Sequence, residues 1–398
     1  MNYKIDTTPP HIIVFMAIIS FSAMSSVFVS PTLPYIAQYF QIANNEVQNV
    51  ITYFAIGYFT GQLIYAPLIK GFGVKKTLNF GILICFIGTL GSYISYLLHD
   101  FELLKYSRII TGIGSGSGFV TIYSTINNIY YEKDARKITS YTSLSFVLVP
   151  GLAMLISGVI VEHIGWQYCF LFLSLWCYIL YLLGKTLPET IHDIDIANIK
   201  ISTLIKNYYE VINIKILIYG LMYGSVASAF YIYTATAPLI IIGNMGQSPE
   251  YFSAHHLIIV IAYGLGGIFS AKTGHKYSSR QSIFLGCIIF SVSSIILSIM
   301  HQFNYLSLPI LFFIIFGAIY FSVPLMFSNI SVLLLSNSHE KSTVSSILGF
   351  LHLVPPLLFL NIMGTSTEPS KLLPFIMCMI SVTLVVLNVI SRRKPKEI

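Results

Sequence analysis

Residues 78–98 read LNFGILICFIGTLGSYISYLL and contain no charged side chain. A helix of this length is about 30 Å long, which matches the thickness of the hydrocarbon layer of a membrane. Uncharged runs of similar length lie on both sides of this stretch, separated by short polar segments. The stretch therefore predicts one member of a series of membrane-spanning helices.

The composition of the whole chain indicates the same class of protein. Of its 398 residues, 55% are hydrophobic and only 9% are charged, and the mean hydropathy is +0.78. Soluble domains carry about a quarter charged residues, because their surfaces must meet water. This composition excludes a soluble enzyme, a secreted disulfide scaffold and a disordered chain.

Apolar runs long enough to cross a membrane predict twelve spans. They cover residues 11–33, 47–69, 78–98, 104–127, 138–160, 167–186, 213–236, 253–272, 281–300, 306–335, 342–363 and 372–391. With both termini in the cytoplasm, nineteen of the 22 lysines and arginines fall on the cytoplasmic side. Lys105 and Lys371 fall on the other side, and Arg108 lies within a span. This bias follows the positive-inside rule, so we expect an inner-membrane protein with cytoplasmic termini.

The longest polar interruption divides the spans into six and six. We expect an N-terminal bundle over 1–186, a cytoplasmic linker over 187–212 and a C-terminal bundle over 213–398. The basic residues lie in short loops rather than in one patch, so their pattern indicates membrane orientation and not nucleic-acid binding.

Several short motifs, in a fixed order along nearly the whole chain, carry a resemblance to a known family. They are Pro31-Thr32-Leu33-Pro34, Gly61-Gln62-Leu63-Ile64-Tyr65-Ala66-Pro67-Leu68, Arg108-Ile-Ile-Thr-Gly112, Val149-Pro150-Gly151, Gly165-Trp166-Gln167, Leu187-Pro188-Glu189-Thr190 and Tyr233-Thr-Ala-Thr-Ala-Pro238. The chain resembles the major facilitator superfamily and, more narrowly, its Bcr/CflA drug-resistance branch. The resemblance implies an all-α membrane fold of twelve helices in two pseudo-symmetric six-helix bundles. It also implies proton-driven export of drugs or small metabolites by alternating access, performed without a cofactor or a metal.

The chain departs from the family pattern at three positions. Lys70 stands where the loop after the second span usually carries an aspartate, and Val27 stands where this branch carries an aspartate near the end of the first span. Met154 replaces the second proline of the antiporter pattern in the fifth span. In addition, all fifteen carboxylates lie in loops, tails or span ends, so the sequence offers no carboxylate within a span as a proton carrier.

Arg108 is the one clear charge within a span. A charge in hydrocarbon costs several kcal/mol and usually faces a cavity or a partner. Arg108 is therefore a candidate to bind an anionic group of the substrate. The alternative is a structural arginine that bonds helix carbonyls or extends towards the outer surface.

His352 is a second candidate, both for substrate binding and as the proton carrier, because histidine titrates near neutral pH. Alternatively, it only hydrogen-bonds a neighbouring helix. His255 and His256 lie at an outer span end, where we expect them to be interfacial.

Aromatic and amide side chains within the spans complete the candidate substrate site, although each could instead serve packing. They are Tyr53, Tyr58, Tyr123, Asn127, Tyr231, Tyr233 and Asn329. The candidate gating residues are Gly73, Lys75, Lys76, Gly112 and Pro150. The alternative roles are orientation for the two lysines, close helix packing for Gly112 and a static kink for Pro150.

The sequence thus predicts a monomeric secondary transporter that moves a small organic solute across the lipid bilayer, with protons as the expected coupling ion and efflux as the first choice. The first alternative is an importer or exchanger of an anionic or zwitterionic metabolite that uses Arg108. The second is a sensor built on a transporter scaffold that moves nothing. No motif of an enzyme is present.

Overall fold

The structure is a computed structural model that describes residues 10–191, 212–274, 276–303, 308–335, 348, 351–352, 354–366 and 368–392. Its contacts divide the chain into two compact units. The first comprises Met1–Ile42 and Asn49–Thr203, and the second comprises Ala43–Gln48 and Leu204–Ile398. Most of the predicted linker, and the first six residues of the predicted eleventh span, lie outside the described residues.

The described helices of the first half of the chain run in the order of the predicted spans. They are α1 (Ile12–Val27), α2 (Leu33–Phe40), α3 (Asn44–Val47), α4 (Asn49–Phe72), α5 (Val74–Leu98), α6 (Phe101–Ile129), α7 (Glu132–His163) and α8 (Tyr168–Lys185). Those of the second half are α9 (Ile214–Pro238), α10 (Pro249–Thr273), α11 (Ser279–Gln302), α12 (Pro309–Leu335), α13 (Val354–Met363) and α14 (Pro369–Arg392). Within the described part of the chain, nine helical segments are long and apolar enough to cross a membrane, and two shorter apolar helices accompany them. The predicted all-α membrane fold is confirmed.

Prolines change the predicted ends of two spans. The first span does not continue as one helix to residue 33, because α1 ends at Val27 and a 3-10 turn, Ser30–Thr32, precedes α2. Pro31 and Pro34 each lie in the first turn of a helical segment, where a proline's missing N–H leaves no hydrogen bond unmade. Similarly, α9 extends to Pro238 and passes into a π-helical turn.

The two units repeat one packing pattern. In the first unit α6 packs against both α4 and α5, α1 packs against α7, and α5 packs against α8. In the second unit α12 packs against both α10 and α11, α9 packs against α13, and α11 packs against α14. Each pair in the second unit corresponds to the pair six spans earlier. Internal repeats of this kind are a common way to build transporters.

Glycines allow the closest helix contacts in the first unit. A Cβ atom built on Gly57 of α4 would lie 2.1 Å from the carbonyl oxygen of Ile109 on α6. One built on Gly112 of α6 would lie 2.2 Å from the carbonyl oxygen of Phe54 on α4. The two backbones therefore touch where any side chain would separate them, as the small-residue spacing along α6 predicts.

Candidate functional site

Arg108 lies between three helices of the first unit. Its side chain is fully buried on α6. Nε donates to the carbonyl oxygen of Val50 on α4 at 3.3 Å, and Nη2 donates to the carbonyl oxygen of Ser25 on α1 at 3.2 Å. The ring of Phe54 lies 4.5 Å from the guanidinium carbon. Arg108 thus joins α1, α4 and α6.

Arg108 and the two serines at the end of α1 carry buried polar atoms without hydrogen-bond partners. Among the described residues, no hydrogen bond reaches Nη1 of Arg108 or the hydroxyl oxygens of Ser25 and Ser26. Both serines are buried at the end of α1. Val27, at the position where the resembling branch carries an aspartate, is buried and apolar. The described part of the chain places no carboxylate within salt-bridge distance of the guanidinium.

Lys105 lies one turn from Arg108 on the same helix and is differently placed. Its Nζ is 2.5 Å from an oxygen of Glu102, and it lies 5.4 Å and 5.7 Å from the ring centres of Phe101 and Tyr53. Only 9% of Lys105 is exposed. Its charge is therefore paired, in contrast to the charge of Arg108.

Of the other predicted binding residues of the first unit, only some lie near Arg108. Tyr58 stacks on Phe54, the ring under the guanidinium, and its hydroxyl lies 3.5 Å from that of Ser22. Tyr53 contacts Tyr106 and the ammonium group of Lys105. Tyr123 and Asn127 lie on α6 more than four turns from Arg108, or roughly 22–28 Å along the helix axis.

Tyr123 and Asn127 instead form local contacts on α6. The amide of Asn127 donates to the carbonyl oxygen of Tyr123 at 2.9 Å, and the ring of Tyr123 packs on Phe119 at 4.7 Å between centres. Tyr58 and Arg108 therefore belong to one group of residues around Phe54, and Tyr123 and Asn127 form a separate group at the far end of α6.

In the second unit, the predicted residues lie in separate places. Asn329 donates to the carbonyl oxygen of Leu325 at 2.9 Å and to the hydroxyl of Ser270 at 3.3 Å. His352 is half-buried, with its ring near Tyr223 and Phe327 at 5.3 Å and 6.0 Å between centres.

Tyr231 and Tyr233 are both buried in α9. The ring of Tyr231 packs on that of its neighbour Phe230, 5.3 Å away between centres. Tyr233 lies within a cluster of aromatic rings that includes Phe316 and Tyr320. Tyr233 thus contributes to core packing, which is the alternative to substrate binding that the sequence left open for each aromatic candidate.

His256 packs inside the protein rather than at its surface, and its depth in the membrane stays a prediction. His256 is 4% exposed, and its Nδ1 lies 3.1 Å from the hydroxyl of Tyr233. The adjacent His255 is half-buried and stacks on Tyr251 instead. Consecutive residues of a helix point about 100° apart, so neighbouring histidines at a span end need not share an environment.

Sequence reasoning missed the role of Glu189, although it noted the motif that contains it. The carboxylate accepts hydrogen bonds from the backbone N–H groups of Val74, at 2.8 Å, and Lys75, at 3.1 Å. These are the first residues of α5, so Glu189 caps that helix from the segment after α8. A Cβ atom on Gly73 would lie 2.5 Å from this carboxylate. Glu189 is close to the start of α5 in space but distant from it in sequence, so no local sequence pattern indicates that it caps this helix.

The remaining gating candidates are helix residues. Lys75 and Lys76 lie in the first turn of α5, and Gly112 lies in the contact between α4 and α6. Pro150 lies within α7, which continues on both sides of it. The structure thus places Gly73 and Lys75 beside Glu189, whereas Gly112 and Pro150 belong to other helix contacts.

We expect Glu189→Ala to destabilise the first unit by about 2 kcal/mol, because it removes the acceptor for two helix N–H groups and for the N–H groups of Thr190 and Ile191. Glu189→Gln retains one acceptor oxygen and should lose less. Thermal unfolding in detergent measures the effect. Glu162→Ala, at an exposed carboxylate, is the control, and equal unfolding temperatures for the two alanine variants would contradict the capping role.

Comparison with known proteins places this architecture in a family. Residues 14–360 match the family model described as Major Facilitator Superfamily. The chain is 27% identical to an uncharacterized transporter of Rickettsia felis, over 70% of this chain and 71% of that one. It is 21% identical to multidrug resistance protein D of Escherichia coli over 67% of each chain. It is 22% identical to a bicyclomycin resistance protein homolog of Haemophilus influenzae over 64% of each.

Solved structures show the same fold at much lower identity. The inward-open xylose transporter XylE from E. coli superposes with a TM-score of 0.76 at 13% identity, over 96% of both chains. The predicted fold of two repeated six-helix bundles is therefore confirmed, as is the resemblance to drug-resistance proteins. Since the family match covers most of the sequence, the chain belongs to the Major Facilitator Superfamily and is a multi-pass membrane transporter of a small molecule.

Proposed function

We propose that this transporter exports a small organic solute, such as a drug or a metabolite, by alternating access and in exchange for protons. The observation that carries the proposal is the relation to proteins named for resistance to drugs, which extends over about two thirds of the chain. The positive-inside bias supports a cytoplasmic-membrane location with both termini inside. We further propose that the protein acts as a monomer, with its N-terminal bundle, linker and C-terminal bundle divided as the sequence predicts.

No described carboxylate lies in the middle of a span, so proton coupling in this chain needs a different kind of side chain as the proton carrier. The described carboxylates lie at helix ends or in loops, as Asp100 and Glu102 do at the start of α6. We assign the carrier to His352, which is half-buried against Tyr223 and Phe327. Imidazole binds and releases a proton near neutral pH, which a carrier must do in every cycle.

A transport assay in cells tests this proposal. Cells that express the protein should accumulate at least about threefold less of an exported fluorescent drug than cells without it. Collapse of the proton gradient should remove the difference. His352→Gln should also remove it, whereas the control His255→Gln, at a half-buried histidine stacked on Tyr251, should not. Equal accumulation of every compound with and without the protein would contradict export.

A second candidate function is uptake or exchange of an anionic or zwitterionic metabolite. The observation that favours it is Arg108, which is fully buried and bonded only to neutral carbonyl oxygens among the described residues. In this case the protein should raise rather than lower the cellular content of the anion, so the sign of the change distinguishes the two directions.

A further inference from the structure

We propose that Arg108, together with the hydroxyls of Ser25 and Ser26, forms a binding site for one monovalent anion, and that this anion is the carboxylate of the transported solute. The inference rests on the proposed transport function and names the substrate class. It applies to export and to uptake alike.

The charge of Arg108 favours an anionic ligand. A guanidinium stays protonated in proteins, and a buried charge that lacks a compensating partner is strongly unfavourable. Arg108 is fully buried, and the two oxygens that it contacts belong to neutral carbonyl groups of Ser25 and Val50. These oxygens accept hydrogen bonds but carry no net charge. The site therefore favours an anion over a neutral or cationic group.

The guanidinium of Arg108 keeps several N–H donors that no described protein group uses. A guanidinium has five N–H groups, and Arg108 uses one on Nε and one on Nη2. Both N–H groups of Nη1 and the second of Nη2 remain, and Nη1 has no partner among the described residues. The end of the fork formed by Nη1 and Nη2 matches the spacing of two carboxylate oxygens.

Ser25 and Ser26, at the end of α1, offer two hydroxyl groups as further donors. The carbonyl oxygen of Ser25 already contacts Nη2, so this residue lies directly beside the guanidinium. The hydroxyl oxygens of Ser25 and Ser26 are buried, and no hydrogen bond to either is found in the described part of the chain. An unsatisfied buried hydroxyl is unfavourable, and donation to an anion would remove that cost.

The aromatic residues beside the guanidinium suit an organic anion. Phe54 lies under Arg108 at 4.5 Å, and Tyr58 stacks on Phe54 with nearly parallel rings, 6.1 Å apart between centres. These rings place apolar groups next to the cationic end of the site. This combination is typical of small-molecule sites, which pair apolar walls with a few polar groups.

A charge series on the purified full-length protein tests the inference. Benzoate, benzamide, benzamidinium and chloride are added separately, and the unfolding temperature is measured at rising concentrations. We expect benzoate to raise the unfolding temperature of the wild type, and benzamide and benzamidinium to leave it unchanged, because only benzoate carries a carboxylate. A ligand that binds only the folded state stabilises it by an amount that grows with the logarithm of the ratio of its concentration to its Kd.

Variants locate the binding. Ser25→Ala and Ser26→Ala should together weaken benzoate binding about a hundredfold, since each removes a hydrogen bond to a charged group. Arg108→Gln should abolish the benzoate effect. Lys105→Gln, one turn away at a paired ammonium, should retain it. The serine variants decide the question if Arg108→Gln does not fold.

Three outcomes would overturn the inference. Benzoate and benzamide could stabilise the protein equally, which would remove the requirement for charge. The benzoate effect could survive in Arg108→Gln and in the double serine variant, which would place the site elsewhere. Chloride could act as strongly as benzoate and compete with it, which would assign the site to an inorganic ion. Drug export without any carboxylate effect would contradict this inference alone, whereas carboxylate binding without any flux would contradict the transport function alone.

Discussion

Gly112→Ala is expected to destabilise the first unit by about 3 kcal/mol and to lower its unfolding temperature by roughly 10 °C. The added Cβ atom would lie 2.2 Å from the carbonyl oxygen of Phe54 and 2.6 Å from the backbone nitrogen of Tyr58. Both atoms belong to the backbone of α4, so no side-chain rotation can relieve the overlap. The two helices must separate, and the contacts along their interface weaken together.

The second unit offers a matched pair of adjacent glycines for the same test. A Cβ atom on Gly266 would lie 2.1 Å from the carbonyl oxygen of Phe321, whereas one on Gly267 would lie 4.0 Å from its nearest neighbour, on Pro324. Gly266→Ala should therefore lower the unfolding temperature. Gly267→Ala should raise it slightly, since alanine favours a helix by about 0.5–1 kcal/mol over glycine. The same response at both positions would contradict the close backbone contact.

Arg108→Ala is expected to reduce transport at least about a hundredfold while the protein remains folded. Among the described residues of the first unit, Arg108 is the only buried charge without a charged partner. The substitution removes this charge and its hydrogen bonds to Ser25 and Val50. Loss of two hydrogen bonds to neutral carbonyls costs about 1–3 kcal/mol, which a folded transporter can tolerate. Loss of the cation removes the electrostatic attraction for an anionic group.

Two further substitutions separate charge from packing in this experiment. Arg108→Lys keeps the charge but loses the planar fork, so we expect partial transport. Lys105→Ala removes the neighbouring cation, which is paired with Glu102, and should leave transport nearly unchanged. Flux into proteoliposomes, normalised to the amount of folded protein, measures all three variants. Full transport by Arg108→Ala would assign Arg108 a purely structural role as a bridge between helices.

The sequence predicted the membrane fold well, because the length of an uncharged run is set by bilayer thickness and needs no tertiary information. The residues 78–98 lie within α5, whose bounds are Val74–Leu98. Close helix packing, one of the two roles considered for Gly112, also agrees with the structure, since a residue without a side chain permits close approach wherever its helix packs. Prolines near 31 and 34 were visible in sequence, but whether they end a helix or bend it depends on how the following turn packs.

The site was less predictable, because its parts come together only in three dimensions. Arg108 was evident as a charge in an apolar run, yet its partners on α1 and α4 contribute backbone carbonyls, which carry no sequence signal. Glu189 was missed for a similar reason, since it caps a helix that begins 115 residues earlier in the chain. The aromatic candidates could not be ranked, because 27 tyrosines and 28 phenylalanines occupy every kind of helix surface.

Flux through the purified protein in liposomes measures whether this chain moves a small organic solute across a membrane. Vesicles with the wild-type protein, vesicles with Arg108→Ala and protein-free vesicles are compared for the movement of the same labelled solutes under an imposed proton gradient. We expect gradient-dependent flux of at least one solute in the wild-type vesicles only. No flux of any solute, by protein that is folded and correctly inserted, would contradict the account and favour a sensor that moves nothing.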